Sequence, residues 1–262
     1  MPPAASRRDR LARDMLARYT GMPAAGFAPY VILTNFPEYL TRFSETFGVP
    51  IRRGSAWAAA TAPREGLSIL DYRIGSPTAA LAMDLLSAVR PRAVLMLGMC
   101  GGLTPRSRVG TFLLPIAAIR DEGASKHYLP AQLPALPTFN IQRAASQVLE
   151  ERGIRHLTGV VHTTDYRFWE MDLPFRKLLR EERVQAIDME CASLFIVGFA
   201  RRVPVGALLL VSDLPLTARG VKTRASARAV FRRHAGPHLD LGIATLRRLR
   251  KGGPGDLRLP VW

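Results

Sequence analysis

Four short runs of this chain are apolar on every residue face: YVILT (30–34), AVLMLG (93–98), FLLPIAAI (112–119) and VGALLLVS (205–212). A run of this length, without polar alternation and set between turn residues, reads as a strand buried on both sides. Segments of helical character separate these runs, among them TAALAMDLLSAV (78–89) and CASLFIVGFA (191–200). Strands hidden on both faces need helices above and below. The expected fold is therefore α/β: a three-layer α/β/α sandwich with a mixed, largely parallel sheet.

The remaining elements fit that frame. Leu11, Met15 and Tyr19 share one face of a helix over 6–19, which Pro23 and Gly26 end. Pro37 opens a helix carrying Tyr39, Leu40 and Phe43. LSILDYRI (67–74) reads as a strand, and Gly75-Ser76-Pro77 turns it into the next helix. Further helices are expected at 139–151, 173–181 and 222–250, with strands at 156–162 and 184–189. A chain of 262 residues, 48% hydrophobic, suits one large domain. Its expected limits are a helical extension at 1–28, the main domain at 29–250 and a tail at 251–262.

The 37 basic and 21 acidic residues give a net charge of +16. Much of the surplus is Arg near the two ends, on amphipathic helical patterns. That describes a solvated helix face, or a positive potential that draws in an anionic substrate. Nucleic acid is the third reading of such a charge, and the less favoured one. No apolar run has the length to span a bilayer, and the N-terminus lacks the pattern of a signal peptide. Cys100 and Cys191 lie in apolar surroundings, as buried free thiols of a cytoplasmic protein do. The five histidines show no paired ligand spacing, so no metal and no cofactor are expected.

In an open α/β sheet, ligands bind beyond the carboxyl ends of the strands. The unusual residues lie at those ends. VSDLPL sets Ser212 and Asp213 directly after an apolar strand, where a carboxylate is costly to ionise and suits a general acid, or fixes a loop. IDMECASLF sets Asp188 and Glu190 before an apolar helix. There an acid balances the helix dipole, or accepts hydrogen bonds from a ligand such as the hydroxyls of a ribose. LGMCGG (97–102) reads as a glycine turn whose amides approach a ligand. HTTDYRFWEMD (162–172) gathers Tyr166, Phe168 and Trp169 around Arg167, either to cover a core edge or to wall a purine.

TNFPE, IGSPTAALAMDLL, LGMCGGL, the Met-Glu of IDMECASLF and the Ser-Asp of VSDLPL occur in the order and spacing of the nucleoside phosphorylase and nucleosidase superfamily, over roughly residues 29–250. Within it, VILTNFPEYL, SKHYLPAQLPALPTFN, GVVHTTDYRFWEMD and GALLLVSDLP resemble the AMP nucleosidases. The resemblance is to a short form, because only a helix precedes the first strand. Allosteric control by the extra N-terminal domain of the long relatives is therefore not carried over. Met99 also departs from the His expected in those relatives.

The resemblance implies hydrolysis of AMP to adenine and ribose 5-phosphate. Asp213 would protonate the purine at N7, Glu190 would bind the ribose hydroxyls, and Met189 would pack under the sugar. Asn35, Gly98, Met99, Cys100, Gly101, Phe168, Trp169 and Ser212 would complete the substrate site. Phosphorylases of the superfamily hold phosphate with arginines, and those places carry Glu38 and Met96 here. Water is then the nucleophile, with Glu38 to orient or deprotonate it; a slip of one position would bring Tyr39 there instead. Arg52, Arg53, Lys126 and Arg167 are the candidates to hold the 5′-phosphate. The expected assembly is a homohexamer. The rivals are action on an unphosphorylated nucleoside by the same fold, and a non-catalytic nucleic-acid-binding protein.

Overall fold

A computed structural model describes residues 6–217, 220 and 223–252. Most of the expected tail, residues 253–262, lies outside the described residues. Seven helices and nine strands alternate through them. The strands are β1 Tyr30–Thr34, β2 Arg52–Arg53, β3 Ala58–Ala62, β4 Leu67–Asp71, β5 Ala93–Gly102, β6 Phe112–Asp121, β7 His156–Thr164, β8 Ala186–Asp188 and β9 Val205–Asp213. The helices are α1 Arg7–Thr20, α2 Pro37–Phe47, α3 Ser76–Leu86, α4 Phe139–Glu151, α5 Leu173–Glu181, α6 Cys191–Arg201 and α7 Arg224–Lys251.

The nine strands form one mixed sheet in the order β2-β3-β4-β1-β5-β8-β7-β6-β9, and β5 also pairs with β9. The central pairs β1–β4, β1–β5 and β5–β9 are parallel, as are β6–β7 and β7–β8. Because β5 bonds to β9 from Val94 to Gly101 and to β8 at Gly101 and Gly102, this half of the sheet curls back on itself. One apolar layer lies between the sheet and α1, α3 and α6; the other lies under α2, α4 and α7. The three-layer sandwich read from the sequence is the architecture observed.

Local chemistry sets the helix limits. The Ser6 hydroxyl accepts from the Asp9 amide at the start of α1, and Gly21 closes that helix in the left-handed conformation. Pro37 takes the first turn of α2. Two features differ from the sequence reading. The antiparallel β2 and β3 extend the sheet edge through an alanine-rich segment that has no strong strand signal. The LGMCGG segment is not a turn: β5 runs through it to Gly102, and the expected strand at 93–98 is longer by these residues. A Cβ on Gly102 would lie 2.6 Å from the Ser107 Cβ, so a side chain there would displace the Ser107 segment.

Candidate active site

The β5–β9 ladder shifts register between Cys100 and Gly101: Cys100 faces Val211, and Gly101 faces Asp213. Ser212 is the extra residue of a β-bulge, a device that re-aims side chains at the end of a strand. It leaves Asp213 partly exposed at a cavity of about 280 Å³ rather than buried in the edge. The Ser212 hydroxyl reaches Asp213 Oδ1 at 2.6 Å, with the Cys100 carbonyl at 3.3 Å. Asp213 is thus fixed by its own neighbour while its carboxyl group borders open space.

The acidic pair of IDMEC divides its work. Asp188 is the helix cap: its Oδ2 accepts from the amides of Glu190 at 3.1 Å and Cys191 at 2.7 Å. Its Oδ1 accepts from the Thr163 hydroxyl at 2.6 Å, which ties β8 to β7. Glu190 occupies the residue before α6 but does not cap it. Its Oε1 instead accepts from the Gly75 amide at 2.8 Å and from Asn35 Nδ2 at 3.3 Å. Gly75 presents that amide with φ at +99°, a conformation that a side chain would strain. The Asn35 Oδ1 is buried and has no hydrogen-bond partner among the described residues.

Burial and the neighbouring Asp188 charge push the Glu190 carboxyl up to about 8, well above its ordinary range. Asp188 itself is raised by burial. Burial and Asp188 also raise the Cys191 thiol, so it is a packed neutral group beside the site.

Around this pair the cavity gathers Asn35, Met99, Cys100, Gly101, Met189 and Ser212, all expected from the sequence. The Ser76 hydroxyl donates to the Met189 carbonyl at 2.6 Å and holds that segment against the start of α3. Arg167 and Trp169 also line the cavity, from the loop after β7. Trp169 is buried, whereas its neighbour Phe168 points outward and is 75% exposed. Gly98 lies inside β5 and does not reach the cavity.

The expected anion ligands are not gathered there. Arg52 and Arg53 are exposed on the edge strand β2, and Lys126 is exposed on the single turn Ser125–His127; none lines the cavity. Glu38 is exposed in the first turn of α2 and also stands outside the lining. Tyr39, one residue on, is buried against His238 at 2.8 Å. Among the described residues no three His, Cys, Asp or Glu side chains cluster as a metal site would require.

Two features were missed by sequence reasoning. Glu170 is buried and lines the cavity, with Arg167 Nη1 at 2.8 Å. His162 is buried below the same loop, its Nδ1 2.7 Å from Glu182 and its Nε2 3.2 Å from Asp121. Glu170 sits within the very motif that carried the resemblance, yet an acid three residues after an Arg reads first as a surface ion pair.

The sequence pattern of the phosphorylase superfamily matches residues 29–239. The chain belongs to that superfamily. Its similarity to solved members is high: the AMP nucleosidase of Bacteroides thetaiotaomicron VPI-5482 is 41% identical, with a TM-score of 0.83 over 94% of this chain and 98% of that one. The AMP nucleosidase of Escherichia coli K12 is 30% identical over 91% of this chain, which spans 58% of that relative's length. The superfamily also brings in a uridine phosphorylase of Treponema pallidum, 30% identical over 74% of this chain and 80% of its own. Asp213, at the end of β9, and Glu190, just before α6, line the same cavity.

Proposed function

We propose that this superfamily member hydrolyses the N-glycosidic bond of AMP, giving adenine and ribose 5-phosphate. The observation that carries the proposal is the placement of Asp213 and Glu190 in one cavity, in a chain 41% identical to an AMP nucleosidase over nearly its whole length. Adenine leaves poorly as an anion. Asp213, oriented by the Ser212 hydroxyl, delivers a proton to N7 of the ring as the bond to C1′ lengthens. The sugar then develops oxocarbenium character, as in other glycoside hydrolyses.

Glu190 accepts the ribose hydroxyls, whose O–H donors favour the ionised carboxylate that burial and Asp188 oppose in the ligand-free site. Two protein donors already hold its Oε1, so the carboxylate is fixed before the sugar arrives, and Asn35 Oδ1 lies beside it as a further acceptor. Met189, held through its carbonyl, lies under the sugar. Met96, a thioether buried in β5, and Glu38, a carboxylate outside the cavity, are not cations and cannot hold a phosphate nucleophile; water attacks C1′. The exposed position of Glu38 makes it a weaker choice for activating that water than the sequence implied.

The preference for a 5′-monophosphate rests on the two AMP nucleosidase relatives and on the net charge of +16. A substrate panel of AMP, adenosine, UMP and uridine tests it. AMP is expected to release its base fastest; faster release from uridine in the presence of phosphate would move the assignment to the uridine phosphorylases.

Two coarser properties belong to the same proposal. No helix among the described residues is long and apolar enough to cross a membrane, and both cysteines are buried and outside any disulfide, which fits a cytoplasmic setting. Phe168, Met171 and Leu173 are exposed apolar side chains beside the cavity loop, and a homo-oligomer, a hexamer in the proposal, would cover them.

A further inference from the structure

We propose that Glu170 reads the exocyclic amino group at purine position 6, and so selects 6-aminopurines against 6-oxopurines. The inference rests on the nucleotide reading above and adds the residue that distinguishes one purine from another. Three observations carry it. The Glu170 side chain is only 6% exposed, yet it lines the same cavity as Asp213. Its hydrogen-bond partner among the described residues is Arg167, at 2.8 Å from Oε1. Its backbone is held by the single turn Trp169–Met171, and the buried Trp169 ring packs beside Phe175 with centroids 5.9 Å apart.

A buried carboxylate is retained only when its acceptor capacity is used. One guanidinium contact leaves room for another donor, and the cavity is where that donor would come from. With N7 at Asp213, the next substituent around the ring edge is the group at position 6. In adenine it is an amino group with two N–H donors. In a 6-oxopurine it is a carbonyl oxygen, which an ionised carboxylate cannot pair with and repels. Arg167, half exposed, fixes the Glu170 carboxylate and balances its charge.

The test compares wild type and Glu170→Gln on AMP, IMP and purine riboside 5′-monophosphate, which lacks the 6-substituent. An amide both donates and accepts, so it weakens the contact to the amino group and offers a donor to the 6-carbonyl. The ratio of kcat/KM for AMP over IMP is expected to fall by about 10- to 100-fold in the variant. The substrate without a 6-substituent should be nearly indifferent to the substitution, because it presents no group for the side chain at 170 to pair with. Should the amide variant not fold, Glu170→Asp withdraws the carboxylate by one methylene and is expected to move the ratio in the same direction.

An unchanged AMP/IMP ratio in a folded variant overturns the proposal. So does a larger loss on IMP, which would mean that Glu170 accepts from N1–H of an oxopurine. Failure of the nucleotide reading looks different, because it appears in the wild type. A wild-type enzyme that cleaves adenosine and not AMP moves the same comparison to adenosine and inosine. A wild-type enzyme that cleaves no purine substrate overturns both.

Discussion

Gly101 stands opposite Asp213 across the β5–β9 ladder, although one pairing earlier Cys100 stands opposite Val211. The residue left over is Ser212, and this bulge sets Asp213 at the cavity beside a hydroxyl 2.6 Å away. Asp213→Asn keeps the size of the side chain and can still pair with Ser212, so the variant is expected to fold. It cannot deliver a proton to the purine. Turnover should fall by roughly 10²–10⁴-fold, about 3–5 kcal/mol in the barrier. Steady-state rates on AMP check this, and near wild-type turnover in the folded variant would remove Asp213 from the chemistry.

Glu190→Gln tests the sugar contact. The amide retains one oxygen for the Gly75 amide and Asn35, but it loses the charge and half of the acceptor capacity. The loss in kcat/KM should be larger on the ribose substrate than on its 2′-deoxy counterpart. Equal losses on the two would show that the carboxylate does not touch the hydroxyls.

The same residue predicts a pH dependence of stability. Glu190 is pushed from 4.5 up to about 8 by burial and by Asp188, so between these values the folded chain holds a proton that the unfolded chain has released. This contribution to stability is fully present below the ordinary carboxylate range and is lost as pH rises through about 8. Asp188, also raised, acts in the same direction. The melting temperature of the ligand-free protein should therefore fall between pH 5 and pH 8.5 by more in the wild type than in Glu190→Gln. Parallel profiles of the two proteins would contradict a raised Glu190.

Tyr39 offers a prediction away from the chemistry. His238 Nε2–H donates to the Leu208 carbonyl at 2.9 Å, so Nδ1 accepts from the Tyr39 hydroxyl at 2.8 Å. Burial keeps this His neutral, with its pKa lowered to about 4. Tyr39→Phe strips the partner from a buried nitrogen and should cost about 1–3 kcal/mol of stability, read by urea denaturation, with turnover little changed. A large loss of turnover at unchanged stability would instead place Tyr39 in the site.

The parts legible in the sequence share one property: they follow from local pattern. The apolar runs of β1, β5 and β9, the proline that opens α2 and the glycine turn before α3 all announce themselves within a few residues. The positions of Asp213 at the end of β9 and of Glu190 just before α6 were legible for the same reason. The β-bulge was not, since it depends on which residues of two distant strands face each other. Nor was the division of labour between Asp188 and Glu190, because two acids before a helix are equally good caps until Thr163 and Gly75 are brought beside them. Arg52, Arg53 and Lys126 were candidate anion ligands on charge alone, and charge carries no address. They fall on an exposed edge strand and an exposed turn, outside the cavity.

The most direct measurement is product analysis of AMP incubated with the enzyme in phosphate-free buffer and again with phosphate added. Hydrolysis predicts adenine and ribose 5-phosphate in equal amounts, at a rate that phosphate does not increase, with adenosine a poor substrate under both conditions. Phosphate-dependent formation of ribose 1-phosphate from adenosine, with AMP left intact, would contradict both the water nucleophile and the nucleotide substrate.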